Sequence, residues 1–142
     1  MQLIFVVLLA VTAPLLPDAT LTPGAVMTTS ESVVCSRSTS TVRNVPQSEK
    51  LAVYKEYGIA EHPTGAYEID HLISLELGGS NDIANLWPQS YQTQPWNAHV
   101  KDRLENKLHA MVCAGSITLP MAQEAIRTDW IKAYEKYVGP TP

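Results

Sequence analysis

The adjacent glycines Gly78-Gly79 constrain this chain more than any other feature. Glycine reaches positive φ without steric cost, so a glycine pair between two apolar runs is read as a reversal of the backbone. Upstream, Glu68–Leu72 has strand character. Downstream, Asn85–Trp87 can return as the second strand of a hairpin, with Pro88 expected to end it. With 142 residues and 45% hydrophobic content, one domain with a single core is expected.

Residues Leu3 to Ala13 form an uninterrupted apolar run closed by Pro14 and Pro17. It is too short to span a bilayer and stands at the N-terminus, so residues 1–19 are expected to be a secretory signal peptide. No Lys or Arg precedes the run, and an uncleaved N-terminal anchor is the alternative. The mature protein is expected to be secreted or periplasmic, with no membrane contact. Export and an even cysteine count favour a disulfide between Cys35 and Cys113 over two buried thiols. Without a C-x-x-C, a metal role for these cysteines is not expected.

The formal charge is -4, and removing residues 1–19 takes away only Asp18, leaving -3. Such a balance argues against tight nucleic-acid binding by phosphate neutralisation alone; an enzyme that releases its product tolerates it.

Residues 20–45 are rich in Ser, Thr and Val and read as an extended arm, with a strand near Ser32–Cys35. The domain proper is expected over 46–142. A helix over Gln47–Tyr57 is predicted, with Ser48 as N-cap, Leu51 and Tyr54 on one face and Gly58 as its stop. From Asn97 a long helix follows, with Leu104, Leu108, Met111 and Val112 on one stripe and Gly115 at its end. A single last helix begins near Thr118-Leu119-Pro120 and buries Ala122, Ile126, Trp130, Ala133 and Tyr137. The expected class is α+β: a small domain of one short hairpin with flanking helices.

The hairpin also carries a pattern of reactive residues: Asp70-His71, then Gly78-Gly79 and Asn81, then Asn85-Leu86. Beyond it come Trp96-Asn97-Ala98-His99-Val100-Lys101-Asp102-Arg103-Leu104-Glu105, Val112-Cys113-Ala114-Gly115 and Asp129-Trp130. Together these resemble the HNH (ββα-metal) endonucleases, in particular a subgroup of small exported bacterial proteins with a DH…GG…NLWP…KDxLE pattern. The resemblance covers about Cys35 to Tyr134. Ser74 stands where such proteins often have proline, and Trp87–Trp96 lengthens the interval before the last ligand.

The resemblance implies hydrolysis of phosphodiester bonds, with DNA as substrate and little sequence preference, and one divalent cation, Mg²⁺ or Mn²⁺ or another. His71 would be the general base, since a near-neutral imidazole can take a proton from water. Asp70 would give a hard oxygen ligand. Asn85 would orient His71 or fix the hairpin. Asn97 and His99 compete for the second ligand position, with His99 slightly favoured. Adjacent strand residues face opposite ways, so convergence of Asp70 and His71 requires a bulge, a bend or the strand's end there. If the strand is regular, Glu68 shares the face of Asp70 and becomes the better cation partner.

Blander readings accompany these. Lys101 and Arg103 could touch phosphate, but pairing with Asp102 and Glu105 on a solvated helix face is the stronger reading. His62 and His109 read as structural, and Trp87, Trp96 and Trp130 as core. Two other functions stay open: a catalytically inactive secreted binding module on the same scaffold, and a structural zinc protein using His62, His71, His99 and His109. An immunity or inhibitor protein as partner is left undetermined.

Overall fold

The computed structural model describes residues 13–142. Among them an α+β domain is built from five helices and one two-stranded antiparallel hairpin. The helices are α1 (Glu31–Ser36), α2 (Gln47–Glu56), α3 (Ala98–Cys113), α4 (Leu119–Thr128) and α5 (Trp130–Tyr137). The strands β1 (Tyr67–His71) and β2 (Leu86–Ser90) lie between α2 and α3. Residues 1–12 of the expected leader lie outside the described residues. Of residues 13–19, the Leu15 carbonyl accepts from the Trp130 indole at 2.8 Å.

The register pairs Tyr67 with Ser90, Glu68 with Gln89, Ile69 with Pro88, Asp70 with Trp87 and His71 with Leu86. It is one-to-one, so β1 contains no bulge and stops at His71. Pro88 does not end β2, contrary to expectation. Each strand has a single neighbour, so a residue without an N–H can turn its free side outward.

The connection works because of its glycines and Asn85. Gly78 has φ +80°, and a Cβ at Gly79 would run into the Ile73 carbonyl. Asn85, with no solvent exposure, accepts from Ile73 N–H at 3.0 Å and donates to the carbonyls of Ile73 (3.0 Å) and Ser80 (2.8 Å). One amide thus closes the whole loop on itself. The N-terminal arm follows this loop: Met27 N–H donates to Gly78 O, Ser80 N–H to Ala25 O, and Val26 bridges Gly79.

Leu104, Leu108 and Val112 of α3 meet Leu72, Leu77, Trp87, Ile126, Trp130 and Tyr134 in the core. Met111, expected on the same stripe, is only half buried. The Cys35–Cys113 disulfide ties α1 to the end of α3 across 78 positions. On a chain-entropy argument a closed loop of that size stabilises by roughly 4–5 kcal/mol.

Further expectations fail. The strand near Ser32–Cys35 is α1, because a helical turn buries Val34 while Cys35 reaches Cys113. The N-cap of α2 is Pro46 rather than Ser48, and its buried residue is Val53, with Leu51 exposed. Gly58, with φ +67°, does stop it. The single last helix is two: Asp129 leaves helical geometry at φ -162°, ψ 98° and its side chain caps α5. That break puts Tyr134 in the core and leaves Tyr137 only partly buried.

Asn85→Ala is expected to lower the unfolding free energy by about 2–4 kcal/mol, since it leaves buried backbone groups unpaired. Urea denaturation measures this; a loss under about 1 kcal/mol contradicts the role given to this amide.

Candidate functional site

Strand alternation divides the residues of β1 between two surfaces. Glu68 and Asp70 look toward α3, where Asp70 meets Lys101. Tyr67, Ile69 and His71 look the other way, toward a cavity also lined by Tyr54 of α2. That cavity holds about 470 Å³. A second, of about 200 Å³, lies on the α3 side and is lined by Asp70, Glu76, Asp102 and Glu105. Arg43, Glu68 and His71 line both. The candidate site is this shared waist at the end of β1.

The acidic half is organised by Lys101. Its ammonium, with no solvent exposure, donates to the His71 carbonyl at 2.9 Å and lies 2.7 Å from Asp70 Oδ2 and 2.5 Å from Glu105 Oε1. Two carboxylates overcome the desolvation that would otherwise neutralise it, so its pKa is raised and it stays charged. The solvated-face reading of Lys101 is therefore overturned, and with it any contact of this residue with phosphate. In sequence it sits among charged neighbours; helical geometry turns it inward with Leu104, Leu108 and Glu105. Asp70 Oδ2, though close to the ammonium, is buried and makes no aligned hydrogen bond.

Glu68, which lines both cavities, is strongly perturbed, and Glu105 on α3 is raised as well. Burial, then repulsion from Asp70 and Asp102, raises the Glu68 pKa to about 7. The neighbouring Tyr91 hydroxyl is itself pushed up to about 12, chiefly by burial and then by the Glu68 charge, so it remains protonated. Glu76 and Asp102 are also raised, mainly by burial. Such a set, short of cations, favours either protonation or a divalent ion.

His71 has a defined tautomer. Asn81 donates its amide N–H to Val42 O at 2.7 Å and accepts from Asn44 N–H at 3.1 Å. Its oxygen therefore faces His71 Nε2, 3.1 Å away. An oxygen can only accept, so Nε2 carries the proton and Nδ1 keeps its lone pair. Burial pushes the His71 pKa below its ordinary value, which keeps the ring neutral near pH 7.

The residues singled out in the sequence are brought together only in part. Glu68, Asp70 and His71 share one cavity wall. The uninterrupted register also makes Glu68 the face partner of Asp70, the alternative set out for a regular strand. Asn85 holds the hairpin and does not orient His71; Asn81 does that. Asn97 is a buried N-cap of α3, accepting from Val100 N–H and donating to Thr93 O, so both ends of its amide are engaged. His99 is exposed, its ring 5.1 Å from that of Tyr91, and it lines neither cavity. In place of Asn97 and His99, α3 supplies Asp102 and Glu105. Arg103 lies over the Tyr134 ring at 5.7 Å, away from both cavities.

Arg43 and Asn81 gained no role from sequence. Arg43 sits in an arm without periodicity, and only the fold shows that Val42 and Asn44, on either side of it, clamp Asn81.

The other histidines have separate partners. His62 stacks on Tyr54 at 3.9 Å. His109 donates to Val34 O at 3.0 Å and stands beside the disulfide. Cys35, His109 and Cys113 place their ligand atoms within 4.8 Å of one another, a grouping the missing C-x-x-C did not suggest. With the sulfurs joined no thiolate is present, so this cluster offers a soft metal site only after reduction.

No family model matches this chain, and no curated protein or solved structure matches it either. No helix among the described residues is long and apolar enough to cross a membrane.

Ionising Glu68 penalises the folded state. Its carboxyl titrates near 4.5 in the unfolded chain and near 7 when folded, so the penalty is absent below pH 4.5 and grows to its full size as pH rises past 7. In EDTA, Glu68→Gln is expected to match the parent protein at pH 4 and exceed its stability at pH 8 by roughly 2 kcal/mol. Denaturation at the two pH values decides; a variant no more stable at pH 8 contradicts this assignment.

Proposed function

We propose that this protein is a metal-dependent endonuclease that hydrolyses phosphodiester bonds of nucleic acid, DNA foremost, with little sequence preference. The observation that carries the reading is the end of β1, where a neutral imidazole with a free Nδ1 adjoins one buried and one half-buried carboxylate, Asp70 and Glu68. Asp70, which lines the acidic cavity, and Glu68 beside it fit a hard divalent cation such as Mg²⁺ or Mn²⁺. Asp102 stands opposite them on α3. When bound, that ion would neutralise the charge growing on the phosphate and its leaving oxygen.

The chain's own groups do the rest. His71 takes a proton at Nδ1 from water as the water oxygen bonds to phosphorus. The bond to the leaving oxygen breaks, and that oxygen takes a proton from solvent. Asn81 is the positioning residue that keeps Nε2 protonated and Nδ1 bare. Arg43, lining both cavities, supplies a cation where the phosphate would lie. The disulfide fits an oxidising compartment, and with the apolar N-terminus it supports a secreted or periplasmic protein.

One observation favours the second reading, a catalytically silent binding module: the Lys101 ammonium already neutralises part of the acidic cluster. Calorimetry with Mn²⁺ separates the two, because a silent module need take up no cation.

Disulfide-intact protein incubated with supercoiled plasmid and Mg²⁺ or Mn²⁺ is expected to nick it, and EDTA to stop the reaction. His71→Ala should lose at least about a hundredfold in rate. Asn81→Ala should lose about ten- to a hundredfold and alter the acid limb of the pH profile, since it acts through His71. Nicking in EDTA, or full activity in His71→Ala, would refute the proposal.

A further inference from the structure

Arg43, Lys50, Tyr54, His62, Tyr67 and Tyr91 surround the 470 Å³ cavity on the face of β1 away from α3. From this arrangement we infer that the cavity is a subsite for an unpaired nucleotide next to the scissile phosphate, so that the protein prefers single-stranded stretches, which a supercoiled plasmid also offers. The inference rests on the nuclease reading for the identity of the substrate.

Three observations carry it. The cavity shares Arg43, Glu68 and His71 with the acidic cavity, so a chain lying in one continues into the other. Its volume falls within the roughly 300–1,000 Å³ of small-ligand sites. A base inside a duplex keeps its faces stacked and its edges paired, so only an unpaired or flipped base can enter such a space. The lining also combines two elements that single-strand sites use, aromatic rings and cations. Tyr54 and His62 stack at 3.9 Å with an interplanar angle of 3°, and Tyr67 stands edge-on to Tyr54 at 6.3 Å. Mutual packing holds these rings in place before any base arrives. Arg43 and Lys50 add positive charge on a chain whose net charge is negative, concentrating cations where a phosphate backbone would pass.

The test is fluorescence anisotropy of the full, disulfide-intact chain in EDTA, where cleavage cannot interfere. The probes are labelled ten-nucleotide oligothymidylate and a blunt duplex of the same length. The strand should bind at least tenfold more tightly than the duplex. Tyr54→Leu should weaken strand binding about tenfold while leaving its salt dependence unchanged. Lys50→Gln, a substitution on a half-buried side chain at the cavity wall, should lower the salt slope by about 0.7. Equal affinity for strand and duplex, no binding to either, or parental behaviour in both variants overturns the inference. Plasmid nicking is scored separately. Nicking without strand preference sinks the subsite alone, and strand binding without any cation-dependent cleavage sinks the nuclease reading instead.

Discussion

The Lys101 ammonium lies beyond the reach of solvent, between the end of a strand and the inner face of the longest helix. It donates to the His71 carbonyl at the point where β1 stops, and faces Asp70 on that strand and Glu105 one turn further along α3. Burying one cation is costly; burying it against two carboxylates and a carbonyl offsets the desolvation and makes the position specific. These contacts fasten the end of the hairpin to α3. They also leave the cluster with excess negative charge, since Glu68, Glu76 and Asp102 face the same ammonium. Burial first, and then that imbalance, raise the pKa of Glu68 to about 7.

Two asparagines on one loop divide the work around this centre. Asn85 spends its amide on backbone groups and makes the Gly78-Gly79 connection a closed unit. Asn81 spends its amide on the N-terminal arm and on His71, which fixes the tautomer of the imidazole. The arm is therefore part of the site: its backbone at Val42 and Asn44 decides which nitrogen of His71 keeps a lone pair. Between Val42 and Asn44, Arg43 is carried to the waist between the two cavities. The disulfide, by tying α1 to α3, limits how far this arm can move.

Much of the frame was readable from sequence because strong local signals agreed. Glycines at reversals, apolar spacing on α3 and an even cysteine count led to the hairpin, the long helix and the disulfide. Failures came where tertiary contacts outweighed local preference. Val33, Val34 and Cys35 look like strand residues, yet burial of Val34 and the bond from Cys35 make a helix there. Asp129 breaks a pattern that is periodic on both sides of it. At the candidate site, Asp70 and His71 entered through the family resemblance, and Glu68 through strand alternation. Lys101 could not, because a lysine among Asp102, Arg103 and Glu105 gives no sign of being buried. Asn97 misled for the opposite reason: an asparagine before a helix serves as an N-cap as readily as a ligand. Asn81 and Arg43 act through a contact 39 positions apart in sequence, between Asn81 and Val42, which no spacing rule anticipates.

In the function proposed above, a divalent cation would be seated by Asp70 and Glu68 beside a neutral His71. Histidine ring spectra by ¹⁵N NMR at neutral pH test this directly, during titration with less than one equivalent of Mn²⁺. The His71 signals should show a proton on Nε2, and they should broaden before those of His62, His99 and His109. A proton on Nδ1, or broadening that reaches His99 or His109 first, would contradict the account.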